Sequence, residues 1–360
     1  MNIGLMGGGQ LGRMMIQAAH QLGHTVTVLD PDPDGPAGQL ADAVVVGHYA
    51  DPQALAELAA QAKVFTTEFE NVPADALRLL AQHGLTFPSA DCVERAQDRL
   101  LEKRFLQSAG VPVAPHHAVV SVDDLLQAPS SLFPGILKTA RLGYDGKGQH
   151  RVSTIEEATG AFEAMGRVPC VLEQQLPLLK EISVITARDR HGKVVTYPVG
   201  ENIHRNGILH TTTLPAQIDP TLESAAKEAA QRVVQAMDYV GVLCVEFFVL
   251  EGDQLVANEM APRPHNSGHY SIEACVTSQF EQQVRICTDM PLGATDLRFP
   301  VRMTNILGDA WFAEDDLLQQ NPIEPDWQAW VAQGGVVHLY GKREPRRGRK
   351  MGHVTQPITV

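Results

Sequence analysis

The chain is poor in cysteine, in aromatic residues and in positive charge. Its 360 residues include five cysteines, none spaced as CxxC. An odd number argues against a disulfide framework, and the spacing argues against a zinc site. Reduced thiols fit a cytoplasmic chain. Lysine and arginine number 29 against 42 aspartates and glutamates, a net charge of −13. Such a surface repels nucleic acid and anionic lipid, so neither is an expected partner. No apolar run approaches the roughly 20 residues that span a bilayer. The runs at 239–250 and 44–46 are far shorter. The first residues carry no basic stretch, and no signal peptide is expected. Internal repeats and low-complexity segments are absent as well.

What is present is enough apolar material for two or three packed domains, at about 100–200 residues each. Residues 2–6 form a short apolar strand that runs into Gly7, Gly8, Gly9, Gln10, Leu11 and Gly12. Leu11, Met14, Met15, Ala18, Ala19 and Leu22 then share one helical face. Gly23 ends that helix, and 25–29 is the next strand, which completes a βαβ unit. Further strands at 43–46, 64–67 and 85–87 and helices at 52–61 and 74–82 make the first 90 or so residues an open parallel α/β domain. A polar helical stretch over 92–109 closes at Gly110, Val111 and Pro112. Beyond it the pattern gives strands at 135–139, 171–175, 182–188, 194–199, 239–250 and 301–307, and helices at 222–237 and 278–288.

Several segments carry chemistry. Gly7, Gly9 and Gly12, with Asp30 closing the second strand, have the spacing of the dinucleotide fingerprint. A helix N-terminus there offers free N–H groups to a phosphate, though the same loop also serves other phosphate ligands or a plain turn. Lys138 ends a strand and precedes a second glycine-rich loop, Gly143, Tyr144, Asp145, Gly146, Lys147, Gly148 and Gln149. Its amides suit close approach to phosphate oxygens, and the alternative is a hairpin turn with a solvated lysine. Glu173, Gln174, Gln175 and Leu176, followed by Glu181, suit an adenine edge and a ribose, or are simply solvated. Glu246 lies in a buried strand, and Glu259 lies on the strand that follows the turn at 251–253. Antiparallel pairing brings both carboxylates to one face, where magnesium bound to nucleotide phosphates uses one or two of them. The residues from 258 to 269, N-E-M-A-P-R-P-H-N-S-G-H, add Arg263, His265, Asn266, Ser267 and His269. Last comes a basic tail, Lys342, Arg343, Arg346, Arg347, Arg349 and Lys350, on an otherwise acidic chain. It suits a substrate phosphate, against a solvated loop.

In this order, G-G-G-Q-L-G-R-M, T-T-E-F-E-N-V-P, Q-D-R-L-L-E-K, L-G-Y-D-G-K-G-Q, E-N-I-H-R-N-G-I-L and N-E-M-A-P-R-P-H-N-S-G-H resemble the ATP-grasp superfamily, and within it the N5-carboxyaminoimidazole ribonucleotide synthetases. The resemblance implies an α/β ATP-grasp fold with a Rossmann-like parallel domain over 1–95, an ATP-grasp domain over 96–295 with a lid at about 112–178, and a small β-rich region over 296–360. It implies a purine-biosynthetic ligase that uses ATP, magnesium and bicarbonate to carboxylate aminoimidazole ribonucleotide, as a cytoplasmic homodimer. By resemblance, Arg99, Lys138, the glycine loop from Gly143 to Gln149, Glu173, Gln174, Gln175, Leu176, Glu181, His204, Asn258 and Glu259 line the ATP site, and Glu246 and Glu259 hold the metal. Arg263 faces bicarbonate and carboxyphosphate. Glu68, Tyr144, Asp145, Asn266 and Ser267 face the ribonucleotide. Lys342, Arg349 and Lys350, with Gln10 and Leu11 of the first glycine loop, hold its 5′-phosphate. Lys138, Asp145 and Arg263 are the expected catalytic groups. Two departures stand out. Ala261 occupies a position where many carboxylating relatives place a metal-binding asparagine, so fewer protein ligands are expected. The chain also ends soon after Gly352, His353 and Val354, without the closing helix the resemblance leads one to expect.

Overall fold

The computed structural model describes residues 1–143, 147–313, 316 and 321–359. The first sheet contains β1 (Asn2–Met6), β2 (Thr25–Asp30), β3 (Ala43–Val46), β4 (Val64–Thr67) and β5 (Leu85–Thr86), in the order β3-β2-β1-β4-β5. All of its pairings are parallel. Parallel strands are buried on both faces, which is why they read as unbroken apolar runs. The sheet order reverses between β1 and β4, and the glycine loop after β1 and Glu68 after β4 meet there. In open α/β sheets ligands bind in this crevice, beyond the carboxyl ends of the strands. The helix Gln10–Gln21 buries Leu11, Met14, Met15, Ala18 and Ala19. It packs against the helix Gln279–Cys287 of the following domain. Gln283 Nε2 stitches the same boundary by donating to Thr66 Oγ1 and to the Phe87 carbonyl, both at 3.1 Å.

A four-stranded antiparallel sheet follows, from β6 (His116–Val119), β7 (Gly135–Thr139), β8 (Gln149–Val152) and β9 (Cys170–Gln174), in the order β6-β9-β7-β8. The body of the molecule is a nine-stranded sheet. It holds β10 (Leu178–Arg188), β11 (Val194–Thr196), β12 (Gly200–Arg205), β13 (Ile208–Leu214), β14 (Gly241–Leu250), β15 (Leu255–Ala261), β16 (Val301–Leu307), β17 (Val336–Leu339) and β18 (Lys350–Pro357). The last three strands join it edge to edge through the β13–β16 pairing, so the C-terminal region continues the body sheet.

Three local expectations need correction. The helical stretch over 92–109 is two helices, Ala90–Ala96 and Arg99–Ser108. Asp98 breaks it, because its carboxylate caps the second helix by accepting from the Leu100 and Leu101 amides. The strand at 182–188 begins earlier, at Leu178, where Lys180 and Glu181 pair with β14 across a bulge. The strand expected over 194–199 stops at Thr196. Gln149 belongs to β8 as well as to the glycine-rich run.

Candidate functional site

Glu246 and Glu259 are directly opposite one another on β14 and β15. A bulge follows at once, so the side chains past the pair change step while the two carboxylates stay on one face. Two negative groups at this separation cannot both be comfortable. Burial, reinforced by Glu259, pushes Glu246 up to about 7. Burial pushes Glu259 the same way, but Arg99 outweighs it and holds Glu259 below the usual carboxylate range. The contact responsible is Arg99 Nη1 to Glu259 Oε2 at 2.9 Å. Asn258 Oδ1, next along β15, is buried without a hydrogen-bond partner. Raised and orphaned oxygens of this kind suit a divalent cation that draws its remaining ligands from phosphate. Among the described residues no cluster of three or more His, Cys, Asp and Glu side chains has metal-ligand geometry.

Two cavities meet at β15. One, of about 530 Å³, is lined by Lys138, Lys147, Gln149, Leu178, Glu181 and His204, together with Glu246, Asn258 and Glu259. Its size suits a small-molecule ligand. The other, of about 180 Å³, is lined by Gln10, Leu11, Glu70, Arg99, Glu102, Gly143 and Arg263. Arg99, Glu259, His265, Asn266 and Lys350 border both. Asn266 buries both ends of its amide with no partner, as a side chain does when it awaits a ligand.

Charge around the larger cavity is arranged through Glu173. Its two carboxylate oxygens meet Lys103 Nζ at 3.2 Å and Lys138 Nζ at 3.1 Å. Burial alone raises this carboxyl, yet Lys138, Lys103 and Arg99 hold it down at about 2. Burial lowers the Lys138 ammonium. Glu173 therefore faces the lysines. Gln174 and Gln175 donate their backbone amides to the Pro115 and Pro134 carbonyls, and Leu176 follows them half-buried. Glu181 forms an ion pair with His204 Nδ1 across β10 and β12. Burial lowers the His204 pKa, but the hydrogen bond to Glu181 wins and raises it. Gly148 turns with φ +70° and accepts from the Thr139 amide at 2.8 Å.

The first glycine loop is engaged by the protein's own carboxylates. Asp30 Oδ2 accepts from the Gly8 amide at 2.6 Å and from Tyr49 Oη at 2.5 Å. Glu68 accepts from the Gly9 amide at 3.1 Å and the Gly12 amide at 3.3 Å. Burial raises the Glu68 pKa, with the Gly12 hydrogen bond the largest opposing influence. Gln10 and Leu11, by contrast, face the smaller cavity.

In the basic tail Lys350 alone of the named cations borders either cavity among the described residues. Lys342 Nζ donates to the Lys350 carbonyl at 2.7 Å, and Arg349 Nη1 donates to the Glu344 carbonyl at 2.7 Å. Arg343 pairs with Asp34 of the first domain. Tyr144, Asp145 and Gly146 lie outside the described residues. Ser267 is buried, with Oγ 2.9 Å from His265 Nδ1.

Several groups at this site were invisible to sequence reasoning. Arg263 Nε donates to Glu70 Oε2 at 2.5 Å. Glu102, 2% exposed, accepts from the Met260 amide at 2.5 Å, next to Glu259 on β15. Burial, then the Glu259 charge, pushes its carboxyl to about 8. Lys103 is 1% exposed. The one available signal was their motifs: Glu70 sits in T-T-E-F-E-N-V-P, and Glu102 and Lys103 end Q-D-R-L-L-E-K.

Models of known families match along most of the chain. A ribonucleotide synthetase preATP-grasp domain covers 1–97, an ATP-grasp domain 104–280, and a phosphoribosylaminoimidazole carboxylase C-terminal domain 302–356. N5-carboxyaminoimidazole ribonucleotide synthase of Brucella melitensis is 46% identical over 99% of this chain and 97% of its own length. The chain belongs to the N5-carboxyaminoimidazole ribonucleotide synthase family. Its Bacillus subtilis relative of that name is 41% identical, over 98% of this chain and 90% of its own. Solved members of the family superpose on the whole fold. The Thermus thermophilus synthetase does so with TM-score 0.89 at 41% identity, covering 99% and 93% of the two chains. The Aspergillus clavatus enzyme, crystallised with ADP and 5-aminoimidazole ribonucleotide, gives TM-score 0.89 at 33% identity, over 99% and 93%. The ATP-grasp fold expected from the sequence is thus the fold of this family. No described helix is long and apolar enough to cross a membrane.

Proposed function

We propose that this chain is a ligase that carboxylates 5-aminoimidazole ribonucleotide to N5-carboxyaminoimidazole ribonucleotide, using ATP and bicarbonate. The observation that carries the reading is the Glu246–Glu259 pair, of which Glu259 lies on the shared wall of two cavities, with Lys138 on one side and Arg263 on the other. Support comes from the names and complexes of its relatives, which are ATP-grasp synthetases of this reaction.

On this reading ATP enters the larger cavity. Glu181 meets the ribose hydroxyls, and the backbone of Gln174, Gln175 and Leu176 meets the base edge. Lys138, Arg99 and the amides of the second glycine loop face the phosphates. Glu246 and Glu259 hold magnesium, which when bound neutralises phosphoryl charge. Bicarbonate oxygen attacks the γ-phosphorus, ADP leaves, and carboxyphosphate forms. Positive groups fixed in advance around the developing charge lower this barrier without reorganising. Arg263 holds the carboxyphosphate at the cavity junction, where it splits into carbon dioxide and phosphate. The exocyclic amine of the ribonucleotide, set by Asn266, Ser267 and Glu68 with its phosphate near Lys350, Gln10 and Leu11, attacks the carbon dioxide and loses a proton. Asp145 is assigned to that proton, and Tyr144 to the ribonucleotide. Lys342 and Arg349 support the phosphate end by fixing the tail that carries Lys350. A homodimer in the cytoplasm completes the reading, and sedimentation velocity tests the dimer.

The deciding assay is ADP release with each small substrate omitted in turn. Dependence on both bicarbonate and the ribonucleotide is expected. Release indifferent to both ends the assignment, and release supported by formate in place of bicarbonate redirects it to a formyl-transferring ligase.

A further inference from the structure

We infer that Glu70 is a positioning residue for the carboxylation step: from the first domain, it sets the guanidinium of Arg263 so that the free edge of that group meets bicarbonate and carboxyphosphate. The inference rests on the carboxylation reading above and adds a residue to it.

The turn that carries Glu70 is held by side chains packed against its backbone. It follows β4 at the point where the sheet order reverses. Gln97 Nε2 donates to the Glu70 carbonyl at 2.7 Å and to the Val72 carbonyl at 2.6 Å. Thr67 Oγ1 donates to the Phe69 carbonyl at 2.9 Å. The carboxylate thus projects from fixed backbone across the domain boundary to Arg263, which lies beyond the end of β15. There Oε2 accepts from Nε, while Nη1 donates to the Pro264 carbonyl at 3.0 Å. Two of the three guanidinium nitrogens are committed to protein. Among the described residues Nη2 has no protein acceptor. The group is planar and rigid, so fixing two corners fixes the third. Arg263 and Glu70 both border the smaller cavity, and their side chains are 15% and 29% exposed.

Charge supports the same role. Burial would raise the Glu70 carboxyl, but Arg263 overrides it and holds it at about 2, so the pair stays ionised at neutral pH. A lone buried arginine would grip any anion, the phosphate product included. One already neutralised by a carboxylate binds by geometry more than by net charge. That suits a site which must hold carboxyphosphate briefly and then release phosphate. The contact that aims Arg263 crosses from the first domain to the second.

The test compares Glu70→Ala and Glu70→Gln with wild type by ADP release, varying bicarbonate, ATP and ribonucleotide separately. A misaimed reacting group costs about 100-fold. Glu70→Ala is therefore expected to lose about 100-fold in kcat/KM for bicarbonate while the KM for ATP stays within about twofold. Glu70→Gln keeps an oxygen for Nε and should recover about tenfold of that loss. In Glu70→Ala, inorganic phosphate should become a stronger inhibitor. Three results overturn the inference: unchanged bicarbonate kinetics in Glu70→Ala, a loss confined to the ribonucleotide KM, or a uniform loss across all substrates with a lowered unfolding midpoint. Absence of bicarbonate dependence in wild type would overturn the carboxylation reading and this inference with it, whereas a dependent wild type with an indifferent variant sinks this inference alone.

Discussion

Glu102 makes the stability of the ligand-free chain fall as pH rises, and replacing it with glutamine should abolish that part of the slope. The carboxyl is 2% exposed and lies beside Glu259, and burial followed by that neighbouring charge raises it from 4.5 to about 8. The folded state therefore holds this proton over a window where the unfolded chain has released it. A group with a raised folded pKa contributes its full stability below the unfolded value, near 4.5, and loses it as pH climbs toward the folded value. Within the window the folded state binds one proton more, so stability falls by about 1.4 kcal/mol per pH unit on account of this residue. Across the whole shift that amounts to about 5 kcal/mol, a large share of a typical domain's stability. Glu102→Gln mimics the protonated form and keeps an oxygen for the Met260 amide. Other groups contribute to the wild-type slope, Glu246 and His204 among them, since both are raised. The difference between variant and wild type cancels them. The measurement is urea unfolding by far-ultraviolet circular dichroism from pH 5 to 8, with chelator present and nucleotide absent. The stability of Glu102→Gln relative to wild type should climb by about 1.4 kcal/mol per unit. Parallel curves would refute the burial argument and mean that water or a rearranged Arg99 solvates this carboxylate.

Other consequences can be tested alongside it. Glu259→Ala should lower ATP-dependent turnover at least about 100-fold while leaving the circular dichroism spectrum intact, because it removes one of the two carboxylates proposed to hold magnesium and frees Arg99; near-normal turnover removes the metal role. Lys103→Met leaves Glu173 with one lysine of two and should lower the unfolding free energy, by less than the ~3–5 kcal/mol of a fully uncompensated buried charge because Lys138 stays paired; an unchanged urea midpoint would refute it. Gly9→Ala would set a Cβ 2.4 Å from Glu68 Oε1, so the carboxylate must move. Steady-state kinetics should then show a higher KM for the ribonucleotide with the KM for ATP unchanged.

The parts legible in the sequence were those set by local pattern. The β4 and β16 bounds follow from apolar runs between turns, and the Glu246–Glu259 register follows from two strands joined by a short turn. Strands β12, β13, β17 and β18 escaped notice. They alternate polar and apolar residues in short mixed stretches such as G-E-N-I-H-R, and pairing with distant partners, not composition, makes them strands. The same holds at the site. His269 carried no assignment because its environment comes from residues far along the chain: its ring lies 4.7 Å from that of His353, which stacks on His338 at 4.5 Å. Burial drives the pKa values of both His269 and His353 well down, so they are neutral aromatic filling between body and tail. Glu70 and Arg263 lie 193 residues apart. No periodicity reports such a contact.

The first glycine loop shows how a correct motif can carry the wrong ligand. Its spacing is that of a dinucleotide fingerprint, and the usual account is that glycines let pyrophosphate approach a helix N-terminus. Here the amides of Gly8, Gly9 and Gly12 are taken by Asp30 and Glu68. The glycines are needed for the same steric reason but toward a different anion: a Cβ on Gly8 would stand 2.7 Å from the Asp30 carboxyl carbon, and one on Gly9 would strike Glu68. Asp30, which in a dinucleotide site would meet a ribose, is spent on the Gly8 amide and Tyr49 Oη. The positive end of the helix is thereby largely quenched from within. What remains for a substrate phosphate is the edge of the first turn at Gln10 and Leu11, with Lys350 across the cavity. A site with these donors withdrawn and one cation across the cavity favours a single terminal phosphate over a bridging pyrophosphate. That is a mononucleotide's requirement, and it follows from two carboxylates that no fingerprint includes.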